Sequence, residues 1–173
     1  MISDFLSKLM MGRQADFTEK DIRIFNLFFT LQPVESLVDL QKNLEDKFGK
    51  KGEDIISDYG RNISNTTINH FKTKFQIEGD QLRELWLNMF SLSGLGKLTV
   101  VQFTPKSAIF QTENSTIAKV YLNKYKKRKE PACHLISSML ESYFQGVTGK
   151  KAKCAETSCI AKGNRFCTFE IKA

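Results

Sequence analysis

Cys133-His134-Leu135, then Cys154-Ala155-Glu156-Thr157-Ser158-Cys159, then Arg165-Phe166-Cys167-Thr168-Phe169 together hold all four cysteines of the 173-residue chain. Nothing before Cys133 carries a thiol. Met1-Ile2-Ser3-Asp4 lacks the basic-then-apolar pattern of a secretory leader, so the expected setting is a reducing cytoplasm. Clustered thiols in that setting are metal ligands more often than bridges. Zinc is the simplest tenant, because thiolates suit it and it makes no redox demand.

Working outward, Leu135, Ile136, Met139, Leu140, Tyr143 and Phe144 recur at helical spacing, with Pro131 suited to the first turn and Gly146 to the end. Cys133 then falls in the first turn, where free N–H groups and the macrodipole favour a thiolate. Lys151 to Ser158 and Arg165 to Ile171 read as two strands joined around Gly163-Asn164.

Cys133, the helix after it, and Glu156-Thr157-x-Cys159-x-Ala161-x-Gly163-x-x-x-Cys167-x-Phe169 together resemble the signature of the 4-vinyl reductase domain family. That family includes the ligand-sensing domains of aromatic-responsive transcription regulators. The resemblance implies a zinc ion held by three cysteines and a glutamate, here Cys133, Glu156, Cys159 and Cys167. Cys154 stands two residues before Glu156, on the same face of a strand, and is the alternative fourth ligand. Where the family carries small residues on the helix, often glycine, this chain has Ser138 and Ser142. At fold level the resemblance extends to haem-based nitric oxide sensors and to vesicle-tethering subunits.

The rest of the chain is read from its patterns. Residues 2–11 suggest an amphipathic helix with Phe5, Leu6, Leu9 and Met10 on one side, and residues 1–16 an N-terminal arm. The second half of Thr18–Gln32 reads as a strand, closed by Pro33. Leu37, Val38, Leu44 and Phe48 mark a helix stopped by Gly49, and Lys50-Lys51-Gly52 reads as the turn after it. Ile55, Ile56, Tyr59, Ile63, Phe71 and Phe75 mark a long helix; Leu82, Leu85, Trp86, Met89 and Phe90 mark another. Leu98–Thr104 and Ser107–Thr112 then read as a hairpin over Pro105-Lys106, with Thr116–Leu122 as a third strand. The expected fold is α+β: a helical layer on a twisted antiparallel sheet, ending in a helix plus a zinc-bound hairpin. Residues 17–173 would form one ligand-binding domain, with 131–173 as its zinc subdomain.

Charge is local. Residues 1–118 carry 14 basic and 15 acidic residues, whereas residues 119–173 carry 12 and 4. Lys124, Lys126, Lys127, Arg128 and Lys129 form the densest run, and a solvated loop explains it better than nucleic-acid binding, for which no recognised motif is present. No apolar run is long enough to span a bilayer. His70 and His134 have no Ser or Asp context for a nucleophilic triad, and Gly94-Leu95-Gly96 precedes a strand rather than a helix, so no catalytic constellation emerges.

The 14 phenylalanines and single tryptophan imply an aromatic interior. The resemblance places a cavity between the helical layer and the sheet, lined by Trp86 and Phe90 and closed by Phe103, Phe110 and Tyr143. The function expected is binding or sensing of a small hydrophobic molecule, with zinc structural. By analogy with the family a homodimer is expected, with a separate effector protein to carry any output. The alternatives are a tetrapyrrole vinyl-group reductase, for which no redox-cofactor motif is found, and a dimeric scaffold with a basic nucleic-acid-contacting loop.

Overall fold

The computed structural model describes residues 4–173. The chain separates into two compact units, Met1–Pro33 and Val34–Ala173. The first unit is α1 (Asp4–Met11) followed by an antiparallel meander of β1 (Ala15–Phe17), β2 (Ile22–Ile24) and β3 (Leu27–Phe29). The expected N-terminal helix is present from residue 4; its residues 2 and 3 lie outside the described residues. The single strand expected before Pro33 is instead the pair β2 and β3. Phe25 and Asn26, at φ 52° and 64°, reverse the chain between them, as two-residue hairpin turns with positive φ at both centres do.

The second unit runs α2 (Val34–Phe48), α3 (Lys50–Phe75), α4 (Gly79–Leu92), β4 (Thr99–Phe103), β5 (Ser107–Thr112), α5 (Thr116–Tyr125), α6 (His134–Thr148), β6 (Lys153–Ser158), a 3₁₀ turn (Ile160–Lys162) and β7 (Cys167–Lys172). Its sheet is antiparallel throughout, in the order β4-β5-β7-β6. A mixed helical and antiparallel-sheet fold is therefore what the sequence forms.

Three local expectations are corrected. Thr116–Leu122 is helix, not strand: Ser115 caps it by accepting a hydrogen bond from the Ala118 N–H, and Ile117, Ala118 and Tyr121 turn one buried face inward. The chain reverses between α2 and α3 at Gly49 alone, with φ 56°, so Lys50-Lys51-Gly52 already belongs to α3. Gly146 lies inside α6, which ends at Gly149 in the left-handed conformation with its N–H on the Gln145 carbonyl.

Helix α6 is the axis of the core. Leu135, Ile136, Met139, Leu140, Tyr143 and Phe144 are all buried, as are Ser138, Glu141 and Ser142, so nearly the whole circumference is covered. One side lies on α3 and another on β6 and β7. Small residues let α3 approach closely. A Cβ added at Gly60 would stand 2.2 Å from Ser138 Oγ and 2.6 Å from the Leu135 carbonyl oxygen, and one at Gly146 would press on Ile68. Gly52 does the same for α2 against Leu44. On the sheet, Ala108, Phe110 and Thr112 of β5 alternate inward and pair with Ile171, Phe169 and Cys167 of β7. The last of those pairs leads from the apolar core to the thiols.

Candidate functional site

The thiol cluster is assembled at the start of α6. Cys133 is its N-cap residue rather than part of its first turn, with φ −94° and ψ 44°. Strand β6 delivers Glu156, the residue just after β6 is Cys159, and Cys167 opens β7. The ligand atoms of Cys133, Glu156, Cys159 and Cys167 lie within 4.8 Å of one another, a grouping that could hold a metal ion. The three cysteines are fully buried. Their sulfurs lie close together, 3.8 Å from Cys133 to Cys167 and 3.9 Å from Cys167 to Cys159.

Backbone donors surround these sulfurs. The Ala132 N–H reaches Cys159 Sγ at 3.4 Å and the Ile160 N–H reaches Cys167 Sγ at 3.3 Å. Ser115 Oγ stands 3.3 Å from Cys133 Sγ. The Cys133 N–H donates to Glu156 Oε2 at 2.9 Å, which aims the carboxylate into the group. Glu156 Oε1 is buried without a hydrogen-bond partner among the described residues. Sequence reading missed Ser115, although Ser115-Thr116-Ile117-Ala118 carries the signal of a helix N-cap.

The electrostatics of the four donors are frustrated. Burial, aided by Cys159, raises the Glu156 carboxyl to about 8. Burial and the neighbouring thiols push Cys133 well above its ordinary range, whereas hydrogen bonds from Cys133 and Cys167 hold Cys159 well below it. Packed this closely, the groups share few negative charges among them. A divalent cation at their centre would reverse that balance and let all four ionise.

Cys154 is not among the four. Its N–H donates to Glu141 Oε2 at 3.1 Å, and its thiol, pushed up by burial, borders a polar cleft of about 390 Å³ that Arg61, His134, Glu141 and Glu156 also line. A second grouping, Glu45, Glu53 and His134, has donors equally close together. Arg128 already serves it, with Nη1 at 3.1 and 3.3 Å from the two oxygens of Glu45.

Arg128 is thus turned inward from the basic run. Lys124 is likewise engaged, 2.6 Å from Asp39 Oδ2, and Tyr125 donates to the same carboxylate. Lys126, Lys127 and Lys129 remain exposed.

The five rings singled out in the sequence come together. Trp86 and Phe90 of α4 stack with centroids 5.5 Å apart, and Trp86 stacks on Tyr143 of α6 at 4.3 Å and 22°. Phe103 of β4 and Phe110 of β5 meet Tyr143 at 6.3 and 5.9 Å. Phe144, which the sequence reading placed only in the helix, joins Phe103 at 5.5 Å. Trp86, Phe90, Phe110 and Tyr143 are buried, while Phe103 is only half-buried. The Tyr143 hydroxyl is buried with no hydrogen-bond partner among the described residues, and burial raises its pKa, so it stays a donor. Among the described residues, no helix is long and apolar enough to cross a membrane.

Comparison with known proteins agrees with this architecture. Residues 112–173 match the family model of the 4-vinyl reductase domain, which shows the resemblance read from Cys133 to Phe169. A 43-residue stretch is 40% identical to the uncharacterized protein MJ1642 of Methanocaldococcus jannaschii, covering 25% of this chain and 27% of that protein. The match therefore reaches about a quarter of that relative's length. The crystal structure of the phenol-responsive sensory domain of the transcription activator PoxR with phenol superposes with a TM-score of 0.82, at 18% identity over 99% of this chain and 91% of that one. The trafficking protein particle complex subunit 3 from Naegleria fowleri, covalently bound to palmitic acid, gives a TM-score of 0.54 at 12% identity, covering 80% and 93%. At these identities the two structures share the fold.

Proposed function

We propose that this chain binds a small hydrophobic molecule among the rings of α4, α6 and the sheet, and that a structural zinc ion fastens the C-terminal hairpin to α6. The observation that carries the binding reading is the Tyr143 hydroxyl, a buried donor without an acceptor in a cluster that is otherwise apolar. Leaving such a group unsatisfied costs on the order of 1–3 kcal/mol. A ligand that is flat, apolar and carries one acceptor would recover that cost. The fold shared with a sensory domain crystallised with phenol supports the class of ligand.

The zinc reading rests on fit. A tetrahedral ion with Zn–S bonds of about 2.3 Å separates its sulfurs by about 3.8 Å, and the observed 3.8 and 3.9 Å agree. The orphaned Glu156 oxygen supplies a fourth donor. Four protein ligands leave no open position, so such an ion would stabilise rather than catalyse. It would supply about 10 kcal/mol or more towards ordering the hairpin, if it behaves as in zinc-finger peptides.

Trp86 is the only tryptophan, so intrinsic fluorescence reports directly on the ring cluster. Titration with phenol should quench or shift its emission saturably. No response to any small aromatic compound, together with no change in melting temperature, would refute the binding reading. Native mass spectrometry should show one zinc per chain. It would also count subunits: a homodimer fits the exposed Met11, Phe28 and Leu31 of the first unit, and a strictly monomeric spectrum would rule that out.

A further inference from the structure

One charged side chain stands over the ring cluster. Arg83 precedes Trp86 by three residues on α4, and so lies on the same helix face. Its guanidinium carbon sits 5.4 Å from the centroid of the Phe103 ring. Phe103 is the one ring of the five that is not buried, so Arg83 covers the side on which the cluster reaches the surface. Phe103, the ring beneath Arg83, in turn meets the ring of Tyr143 at 6.3 Å, so the orphaned hydroxyl belongs to the next ring in from the guanidinium.

Among the described residues, Arg83 has one ion pair. Its ion pair is with Asp80, at 3.0 Å and three residues away, and the Asp80 side chain is 82% exposed. Pairs of this kind contribute little and are readily exchanged. A guanidinium presents a planar fork of donors matched to a carboxylate, and a neutral phenol adds a further donor. A single acceptor atom would answer Tyr143 alone, whereas a carboxylate has oxygens for both groups.

We propose that the preferred ligand is an aromatic carboxylate, with its ring among Trp86, Phe103, Phe110 and Tyr143 and its carboxylate taken by Arg83 and the Tyr143 hydroxyl. This rests on the ring cluster being the binding site, and narrows it to one chemical class. Arg83 is 34% exposed, so one carboxylate oxygen is met at the rim, while the other is buried against the Tyr143 hydroxyl. Hydrogen bonds to an ionised acceptor are roughly twice as strong as those between neutral groups. The acid is therefore favoured over its amide of the same shape.

The experiment is a fluorescence titration of the full chain, loaded with its metal, using benzoate, benzamide and toluene as probes. Benzoate should bind about tenfold tighter than benzamide at low salt, and the ratio should shrink as salt is raised. Arg83→Gln should bring the ratio close to one by weakening benzoate more than benzamide, and Arg83→Lys should keep part of the preference. If benzamide or toluene binds wild-type protein as tightly as benzoate, the carboxylate preference is overturned and the aromatic-binding reading stands. If none of the three changes the emission or the melting temperature, both are overturned. Should Arg83→Gln fail to fold, the wild-type ratio of benzoate to benzamide decides the matter alone.

Discussion

Replacing Gly60 with alanine tests the close contact on which the position of α6 depends. An added Cβ would lie 2.6 Å from the Leu135 carbonyl oxygen and 2.2 Å from Ser138 Oγ, against an ordinary contact of about 3.4 Å or more. Ser138 cannot simply rotate away. Its hydroxyl is buried and donates to the Leu135 carbonyl at 2.9 Å, so turning it leaves a hydrogen bond unmade, at about 1 kcal/mol. The backbone oxygen can yield only if α6 moves off α3 by most of an ångström. Overpacking of this kind costs about 1–3 kcal/mol, while alanine regains about 1 kcal/mol over glycine in helix propensity. The net loss is about 1–3 kcal/mol. For a chain of this size that is a fall in melting temperature of about 2–4 °C per kcal/mol, readable by circular dichroism or calorimetry. Adding Ser138→Ala should recover only part of it, because the Leu135 carbonyl still obstructs. An unchanged or raised melting temperature in Gly60→Ala would refute the close packing and leave helix propensity as the governing term.

Three further outcomes follow from the site and its surroundings. Tyr143→Phe removes the orphaned hydroxyl and should raise stability by about 1 kcal/mol in the absence of ligand, while weakening any ligand that carries an acceptor; a fall in urea midpoint would count against an unsatisfied hydroxyl. Cys154→Ser should retain one zinc per chain by native mass spectrometry and Glu156→Ala should lose it or hold it more weakly, since only Glu156 of the two lies in the group of four donors; the reverse pattern would move the fourth ligand to Cys154. The third outcome concerns Glu53, whose carboxyl is lowered overall because Lys50, His134 and Arg128 outweigh the burial that raises it. Its folded pKa thus lies below the unfolded value of about 4.3. The stabilisation is complete above that value and disappears as pH falls through the folded one. Wild type should be the more stable at pH 7 and should converge with Glu53→Gln on acidification, and a gap that persists at pH 3 would contradict the assignment.

Much of the fold was legible because the long helices have clean apolar periodicity and the β4–β5 hairpin has a clear turn. What the sequence concealed was decided by single contacts. Thr116, Ile117, Val120 and Tyr121 are strand formers by propensity, yet the Ser115 cap makes them helical. Gly146 looks like a stop, but it is a space for Ile68, and the left-handed position that ends α6 is Gly149. The five rings could be listed in advance, because the family resemblance pointed to the space between the helical layer and the sheet. Arg83 could not, because its position over Phe103 depends on how α4 meets β4. The choice between Cys154 and Glu156 was equally closed to sequence reading, as both point to one face of β6. Cys154 pairs with Ile171 and Glu156 with Phe169, which sets the two side chains almost 7 Å apart along the strand. The Cys133 N–H meets Glu156, and Cys154 stands outside the group of four donors.

The thiol group and the ring cluster are mounted on the same two elements. Helix α6 carries Cys133 at its start and Tyr143 ten residues later, about 15 Å along the axis. Strand β7 carries Cys167 and, two residues on, Phe169, which is paired with Phe110 of the cluster. An ion held by Cys133 and Cys167 would therefore fix the angle between helix and strand at one end, while the rings meet at the other. Such an ion would not need to touch a ligand to affect its binding, because β7 is paired with β5, whose Phe110 meets Tyr143 of α6. The sequence follows this division of labour. The thiols stand at the ends of elements, with Cys133 capping α6, Cys159 following β6 and Cys167 opening β7, and the span between them is filled with aromatic and aliphatic side chains.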